Sequence, residues 1–250
     1  MKTVWTILLC LFSLTTQAQV VNIENKRIYD DTSGWSGTLE GGFSAVQNDK
    51  LLYSLNFRPR VQYKTRKHYY LLLSDIVYTG GEEVYANSGM LHFRYAYRLW
   101  NSPWKWESYA QVQYNELLNQ RIRSLAGTGL RWKFWDKNNI RFFVGSSTFY
   151  EYEELQTDAV TNEALRWSNY LSWFIDTKKG FSFTAVTYAQ PMWADFNDIR
   201  ISGQYTLAFH VFKRVDLKLE YNLFYDSRPP VGVRNMVFST SAGFKIRLGE

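Results

Sequence analysis

Leu52–Lys64 reads LYSLNFRPRVQYK, and its alternation of apolar and polar residues decides the fold. A period of two residues is that of a β-strand with one apolar face and one polar face. The apolar face of this segment is rich in aromatic side chains, and the polar face carries the charges of Arg58 and Arg60. Gly89–Leu99 and Val215–Asp226 repeat the pattern. All three segments exceed the usual strand length of about five or six residues.

The remaining sequence extends this pattern to twelve strands in up-and-down order. The nine further predicted strands are Gly34–Gln47, Tyr69–Tyr78, Trp104–Asn115, Ile122–Phe134, Ile140–Glu153, Leu165–Asp176, Phe181–Gln190, Ile199–Val211 and Met236–Leu248. The second of these is the least regular, because both of its faces carry apolar residues. A transmembrane β-strand needs about 9–11 residues that face lipid and lumen in turn. The sequence therefore predicts an all-β fold, a transmembrane antiparallel up-and-down β-barrel of about 12 strands.

A soluble β-sandwich or calycin-like barrel would also alternate, but two features favour a membrane barrel. The apolar faces are dominated by Trp, Tyr and Phe, whereas the polar faces carry several full charges per strand. Large aromatic side chains would crowd a small soluble interior, but they form girdles at the two interfaces of a membrane barrel. Connections after even-numbered predicted strands are also shorter than most of those after odd-numbered strands. Short periplasmic turns and longer outer loops are typical of outer-membrane barrels.

The N-terminus predicts export to the outer membrane of a Gram-negative bacterium. Residues 1–18 combine a positive Lys2, an apolar run at Val4–Leu14 and a cleavage site after Ala18. This is the pattern of a secretory signal peptide, and the apolar run is too short to cross a bilayer. The sole cysteine, Cys10, lies within the run, so the mature chain offers neither a disulfide nor a catalytic thiol.

The mature chain divides into a short leading segment and the strand-rich remainder. Residues 19–32 are expected to form a periplasmic or plug-like segment, and residues 33–250 the outer-membrane barrel. Removal of Lys2 leaves 28 basic residues against 23 acidic ones, a net charge of +5. This modest excess in an exported protein gives no reason to expect a nucleic-acid partner.

The last predicted strand ends with a pattern that resembles the β-signal of outer-membrane proteins. Residues 241–248 read SAGFKIRL, and the positions that match the signal are Gly243, Phe244, Ile246 and Leu248. The resemblance implies recognition by the barrel assembly machinery. The other expected partners are outer-membrane lipid and lipopolysaccharide.

A set of short motifs extends over nearly the whole mature chain. The motifs are Gln19–Trp35, Gln113–Asn115, Arg123 with Gly127–Arg131, Tyr150–Glu153, Arg166, Tyr170–Ser172, Gln190–Pro191, Asp195–Arg200 and Tyr225–Pro230. In this combination the sequence resembles the domain-of-unknown-function family 481, described as salt-induced outer-membrane proteins, in its Bacteroidetes-type form. The resemblance implies an outer-membrane β-barrel. It implies no reaction, because the family has no established biochemical activity.

The polar faces of the predicted strands supply the candidate functional residues. By phase, the lumen-lining candidates are Arg58, Arg60, Arg94, Arg98, Arg123, Arg131, Arg166, Arg200, Glu107, Glu151, Glu153 and Asp226. Charges inside a barrel must pair with each other or with water, because an unpaired desolvated charge is costly. Two interpretations stay open. The charges form a salt-bridge network that fills a narrow lumen, or they form a selectivity lining for small polar solutes or ions.

The sequence predicts no cofactor and no defined metal site. Acidic outer connections would attract cations such as Ca²⁺, but no tight carboxylate cluster or EF-hand spacing is present. The predicted function is a small diffusion channel or an envelope-integrity barrel rather than an enzyme. The alternative is a barrel-embedded hydrolase acting on lipid or peptide, with His92 and the carboxylates of Tyr150–Glu154 as acid–base candidates. No nucleophile motif accompanies any histidine.

Overall fold

The computed structural model describes Ile23 and residues 33–47, 50–157, 160–177, 180–212 and 215–246. These residues form twelve strands, as the alternation predicts. The strands are β1 (Gly34–Gln47), β2 (Leu51–Lys64), β3 (His68–Gly80), β4 (Val84–Arg98), β5 (Trp104–Asn115), β6 (Gln120–Lys137), β7 (Ile140–Leu155), β8 (Thr161–Asp176), β9 (Phe181–Met192), β10 (Asp195–Phe212), β11 (Val215–Asp226) and β12 (Met236–Ile246). A turn of 3-10 helix, Glu116–Leu118, lies between β5 and β6. No helix in the described ranges is long and apolar enough to cross a membrane.

Each strand is hydrogen-bonded antiparallel to the next strand along the chain, which confirms the predicted up-and-down order. The sheet order therefore runs from β1 to β12 without a crossover. Within the described residues no ladder joins β1 to β12, so closure of the sheet into a barrel stays a prediction. Both faces of β1 are exposed along most of its length.

The predicted bounds of β1, β5 and β11 agree with the structure, and the largest differences lie at three strand starts. β4, β8 and β10 begin at Val84, Thr161 and Asp195, four or five residues before their predicted starts. The hairpin ladders continue past the predicted ends, since Met192 of β9 still pairs with Asp195 of β10. The long connection predicted at Pro191–Asp198 is therefore wrong, because residues 193–194 alone separate the two strands.

The sheet curls so strongly that side chains three strands apart touch. The Tyr170 hydroxyl of β8 lies 3.3 Å from Oε2 of Glu107 on β5. Nη1 of Arg200 on β10 lies 2.5 Å from Oε1 of Glu151 on β7. Adjacent strands are about 4.8 Å apart, so a flat sheet would hold these backbones roughly 14 Å apart. The polar strand faces therefore enclose a concave side, and the apolar faces form a convex side.

Burial on the two sides is opposite to that of a soluble protein. On β8, Arg166 and Ser172 are buried on the concave side, whereas Leu171 and Trp173 are exposed on the convex side. Five arginines and five carboxylates are buried among the described residues, namely Arg94, Arg123, Arg131, Arg166, Arg200, Asp75, Glu107, Glu151, Glu153 and Asp226. Large aliphatic and aromatic side chains are exposed from β1 to β12. An ordinary soluble fold would bury the second set and expose the first.

Two small apolar clusters interrupt the polar concave side. The first consists of Phe143, Phe174 and Val186, on β7 to β9. The second consists of Leu71 and Leu73 on β3, Met90 on β4 and Ile23 from the leading segment. The inward leucines of β3 explain why both faces of the predicted strand Tyr69–Tyr78 are apolar.

Candidate functional site

The concave side has two ends that the connections between strands define. The odd end carries the connections that follow odd-numbered strands, and the even end carries those that follow even-numbered strands. An antiparallel up-and-down order places every connection of one kind at the same end. The buried charges gather in two groups, one towards each end.

Arg200 is the centre of the odd-end group. Its Nη1 donates to Glu151 at 2.5 Å, its Nη2 to Glu153 at 2.8 Å and its Nε to Asp226 at 2.8 Å. The Arg200 side chain is 8% exposed, and the three carboxylates are 5% exposed or less. One guanidinium thus binds carboxylates from β7 and β11 through all three nitrogens, which fixes these strands relative to β10.

Glu151 contacts two further arginines, from β6 and β8. Its Oε2 accepts from Arg123 Nη2 at 2.5 Å, and Nε of Arg166 lies 3.6 Å from its Oε1. Arg166 also pairs with Asp198 at 2.9 Å. The odd-end group therefore joins three arginines to four carboxylates across β6 to β11. Every charge in it takes part in a direct ion pair, and the group keeps one more carboxylate than arginines.

The even-end group is centred on a buried ion pair between β4 and β5. Nη1 of Arg94 lies 3.1 Å from Oε2 of Glu107, and the Tyr170 hydroxyl donates to the same oxygen. Arg131 of β6 lies over the ring of Phe143, with its Cζ 3.9 Å from the ring centroid. A guanidinium at this distance is attracted to the negative face of the ring.

Basic side chains outnumber acidic ones on the even half of this wall. β4 to β7 are described in full, and their buried or half-buried basic residues on this half are Arg94, Lys105, Arg131 and Arg141. Glu107 is the buried carboxylate among them. On β4 to β7 the even half of the wall therefore has a positive net charge, in contrast to the odd-end group.

A chain of hydrogen bonds connects the two groups along β4, β5 and β6. Its members, in order, are Arg94, His92, Gln111, Gln113, Gln120 and Glu153. The successive donor–acceptor distances are 3.3, 2.9, 2.6, 2.9 and 2.7 Å. Because Glu153 also binds Arg200, the chain links the even-end group to the odd-end group without a break.

The two charged ends fix the direction of every bond in this chain. Arg94 can only donate, and the ionised Glu153 can only accept. Each glutamine therefore accepts at Oε1 and donates from Nε2, so the amides all point the same way. His92 accepts at Nε2 from Arg94 and donates from Nδ1, which is the neutral tautomer with its proton on Nδ1. Hydrogen bonds aligned in this way polarise and strengthen one another.

A cavity of about 110 Å³ lies between the two charged groups. Neutral polar side chains line its middle, among them Tyr109, Gln111, Gln113, Ser147 and Ser168. One water needs about 10–15 Å³ of such space, so the cavity has room for several waters or for a small polar solute.

The structure places the sequence-predicted lumen residues at three levels of burial. Nine are buried on the concave side, namely Arg94, Arg123, Arg131, Arg166, Arg200, Glu107, Glu151, Glu153 and Asp226. Arg58 and Arg60 are half-buried, with Nε of Arg58 3.0 Å from Asp75. Arg98 is exposed at the last position of β4, so its place in the lining stays a prediction. The alternation of sides continues to the end of the strand, but side chains there are no longer buried by the concave side of the sheet.

The predicted membrane-assembly signal falls on the last strand. Gly243 and Phe244 lie in β12, and Phe244 is 73% exposed. Ile246 is the last residue of β12, whereas Leu248 lies outside the described residues. The predicted signal peptide, residues 1–18, also lies outside them. Recognition by the assembly machinery stays a prediction.

Ion pairs also engage acidic residues at the odd end. Glu82 pairs with Lys50 at 2.8 Å, and Asp195 pairs with Arg228 at 2.5 Å. Among the residues that the structure describes, no three His, Cys, Asp or Glu side chains come together to hold a metal ion. The acidic character predicted for this end is therefore partly neutralised by neighbouring cations.

Two of the acid–base carboxylates predicted in Tyr150–Glu154 lie close together, because Glu151 and Glu153 both bind Arg200. Glu151 and Glu153 are buried on the concave side, whereas Tyr150 is exposed on the convex side and donates to Glu163 at 2.6 Å. Neighbouring residues of a strand face opposite sides, which separates the members of the motif. His92 lies within the hydrogen-bond chain, where both ring nitrogens are engaged.

The neutral members of the site are absent from the sequence-based candidates. Gln111 and Gln113 share the phase of Glu107, so the alternation on β5 carried a signal for their side of the sheet. Their hydrogen bonds depend on the pairing of β5 with β6, which is irregular between Gln113 and Asn115. The alternation along a strand shows on which side of the sheet a residue lies, but it does not show which residue its side chain contacts.

This architecture defines the class of protein: an all-β chain whose up-and-down antiparallel sheet has a charged concave side and an apolar convex side. The chain belongs to the family described as "Protein of unknown function, DUF481", whose model matches residues 40–246. The match confirms the resemblance to the domain-of-unknown-function family 481. No curated protein matches the chain.

Two solved structures are similar to the chain at low sequence identity. One is described as "NanC porin structure in rhombohedral crystal form", with 16% identity and a TM-score of 0.48. This similarity covers 85% of the present chain and 100% of the other. The second is described as "Unveiling the Mechanism Behind the in-meso Crystallization of Membrane Proteins", with 10% identity and a TM-score of 0.37. It covers 84% of the present chain and 83% of the other.

Proposed function

We propose that this protein is a twelve-stranded outer-membrane β-barrel that acts as a narrow channel for small polar solutes, with a preference for anions. The inverted polarity of the sheet is the observation that carries this proposal. Buried Arg131 and Glu107 face the concave side, whereas Leu130 and Trp106, their neighbours in sequence, are exposed on the convex side. An apolar outer surface is stable in contact with lipid. A charged inner surface is stable when water fills the lumen or when its charges form ion pairs.

Closure of the sheet follows from the demands of the bilayer. Hydrocarbon offers no water to the N–H and C=O groups of an open edge, so a spanning sheet has to be a closed barrel. Every strand contains at least the 11 residues of β12, which meets the length of about 9–11 residues that a crossing requires. We infer that β1 pairs with β12 in the membrane. β1 begins and β12 ends at the even end of the sheet. The even end then faces the periplasm.

The even half of the lumen supplies the anion preference. Arg94, Lys105, Arg131 and Arg141 outnumber Glu107 on this wall. A charged wall of low dielectric concentrates ions of the opposite sign, and rings of basic side chains select anions. The ion-paired odd-end group then acts as the narrow part of the path, which restricts passage to small solutes.

Single-channel recording in a planar lipid bilayer tests this function. We expect discrete conductance steps, and a reversal potential in a KCl gradient with the sign of anion preference. Arg131→Gln should lower the ratio of anion to cation permeability, because it removes one of the four basic side chains. Arg121→Gln is the matched control, since Arg121 is exposed and pairs with Glu154. Cation preference in the unaltered protein, or no change with Arg131→Gln, would contradict the proposed lining.

A closed barrel that supports the envelope is the second candidate function. The odd-end group favours it, because Arg200 binds three carboxylates directly and ties β7 and β11 to β10. A folded protein that shows no conductance, together with envelope defects on deletion, would support this function over the channel.

A further inference from the structure

Ile23 is the one residue of the leading segment that the structure describes, and it lies on the concave side. Its side chain is 5% exposed and packs with Leu71, Leu73 and Met90. It also lines the central cavity. An aliphatic side chain from outside the sheet therefore occupies part of the enclosed space.

The wall beneath Ile23 is apolar where the surrounding wall is polar. Leu71, Leu73 and Met90 are each at most 4% exposed, and they form the apolar dock. Asp75 and His92, which share the concave phase on the same two strands, are polar and buried. Leucine side chains gain nothing from facing water in a lumen, but they are stabilised by packing against another aliphatic group. The apolar dock is thus chemically suited to the aliphatic side chain of Ile23 that packs against it.

We propose that Ile23 docks inside the lumen and narrows the channel at the level of the apolar dock. The proposal rests on the channel proposed above. β3 begins at His68 at the even end, so Leu71 lies roughly 10 Å inside it. The narrowing therefore lies near the even end, on the wall that β3 and β4 form.

Cross-linking tests the dock independently of conduction. Variants carry Cys10→Ser, and Ile23→Cys is combined with Met90→Cys in the folded, membrane-inserted protein. A short thiol cross-linker should join this pair. The matched control combines Ile23→Cys with Leu91→Cys, because Leu91 is adjacent in sequence but 53% exposed on the convex side. Equal yields for the two pairs, or no product for the first, would overturn the proposal.

A second pair guards against a variant that does not fold. Ile23→Cys with Leu73→Cys should also cross-link, whereas Ile23→Cys with Leu72→Cys should not, since Leu72 is exposed on the convex side. Failure of both inward pairs in folded protein would overturn the dock.

Conductance measurements test the consequence for the channel. Ile23→Asp places a charge against the apolar dock and should release this side chain from it, which we expect to raise the single-channel conductance at least twofold. Ile23→Val keeps the contact and should leave the conductance unchanged. Conductance without inward cross-links would overturn the dock and leave the channel standing. Inward cross-links without conductance in any variant would leave the dock standing and refute the channel. Cross-links with equal conductance in all variants would refute the narrowing.

Discussion

Replacement of Arg200 by Gln removes the guanidinium that three buried carboxylates share. Glu151 keeps its contacts with arginines of β6 and β8. Glu153 keeps a hydrogen bond from Gln120, and Asp226 keeps one from the backbone amide of Arg228, but both lose their ion pair with Arg200. Removal of one partner of a buried ion pair destabilises a protein by about 3–5 kcal/mol. We expect Arg200→Gln to lower the free energy of unfolding by about this amount.

Urea unfolding of the refolded protein in detergent micelles, followed by fluorescence of its 10 tryptophans, measures this loss. Arg121→Gln is the matched control. Arg121 pairs with Glu154 at 2.6 Å, but its side chain is 66% exposed. An exposed pair contributes about 0–1 kcal/mol, so the control should change stability little. Equal losses in the two variants would refute the argument that burial, rather than distance, sets the contribution of these pairs.

Three further substitutions probe other parts of the fold. Gly145→Ala would push a methyl group into the ring of Tyr170 and should cost about 1–3 kcal/mol in urea unfolding, whereas Gly243→Ala meets open space and should be neutral. Leu130→Arg on the convex side should reduce the free energy of folding into vesicles by about 2–4 kcal/mol, and normal folding yields would count against a lipid-facing surface. Gln113→Leu interrupts the hydrogen-bond chain and leaves a buried donor and acceptor unpaired, so we expect a loss of about 1–3 kcal/mol, which an unchanged urea midpoint would disprove.

The number and order of the strands could be predicted because the two-residue period is a local property. β1, β5 and β11 agree with their predicted bounds for this reason. β3 had the least regular alternation of the predicted strands. Leu71 on its inner face packs with Ile23, which lies 48 positions earlier in the sequence. A pattern within the strand cannot show a partner outside it. The starts of β4, β8 and β10 were placed too late, since polar turn-like residues there continue the ladders.

The side on which a residue lies could be predicted, but its partners could not. Arg200 was placed with the lining from its phase alone, whereas its three carboxylates come from β7 and β11 and meet it only through the curl of the sheet. The same curl sets the limit of the enclosure, which leaves Arg98 exposed at a strand end. The long-range geometry depends on accumulated register and twist, which no single segment encodes.

Side-chain contacts in the middle of the sheet, rather than contacts between its first and last strands, maintain its curvature. The contacts between Glu107 and Tyr170 and between Arg200 and Glu151 need no strand outside β5 to β10. The curved form of β5 to β10 therefore does not depend on the first and last strands. The proposed pairing of β1 with β12 would join two edges of a sheet that is already curved.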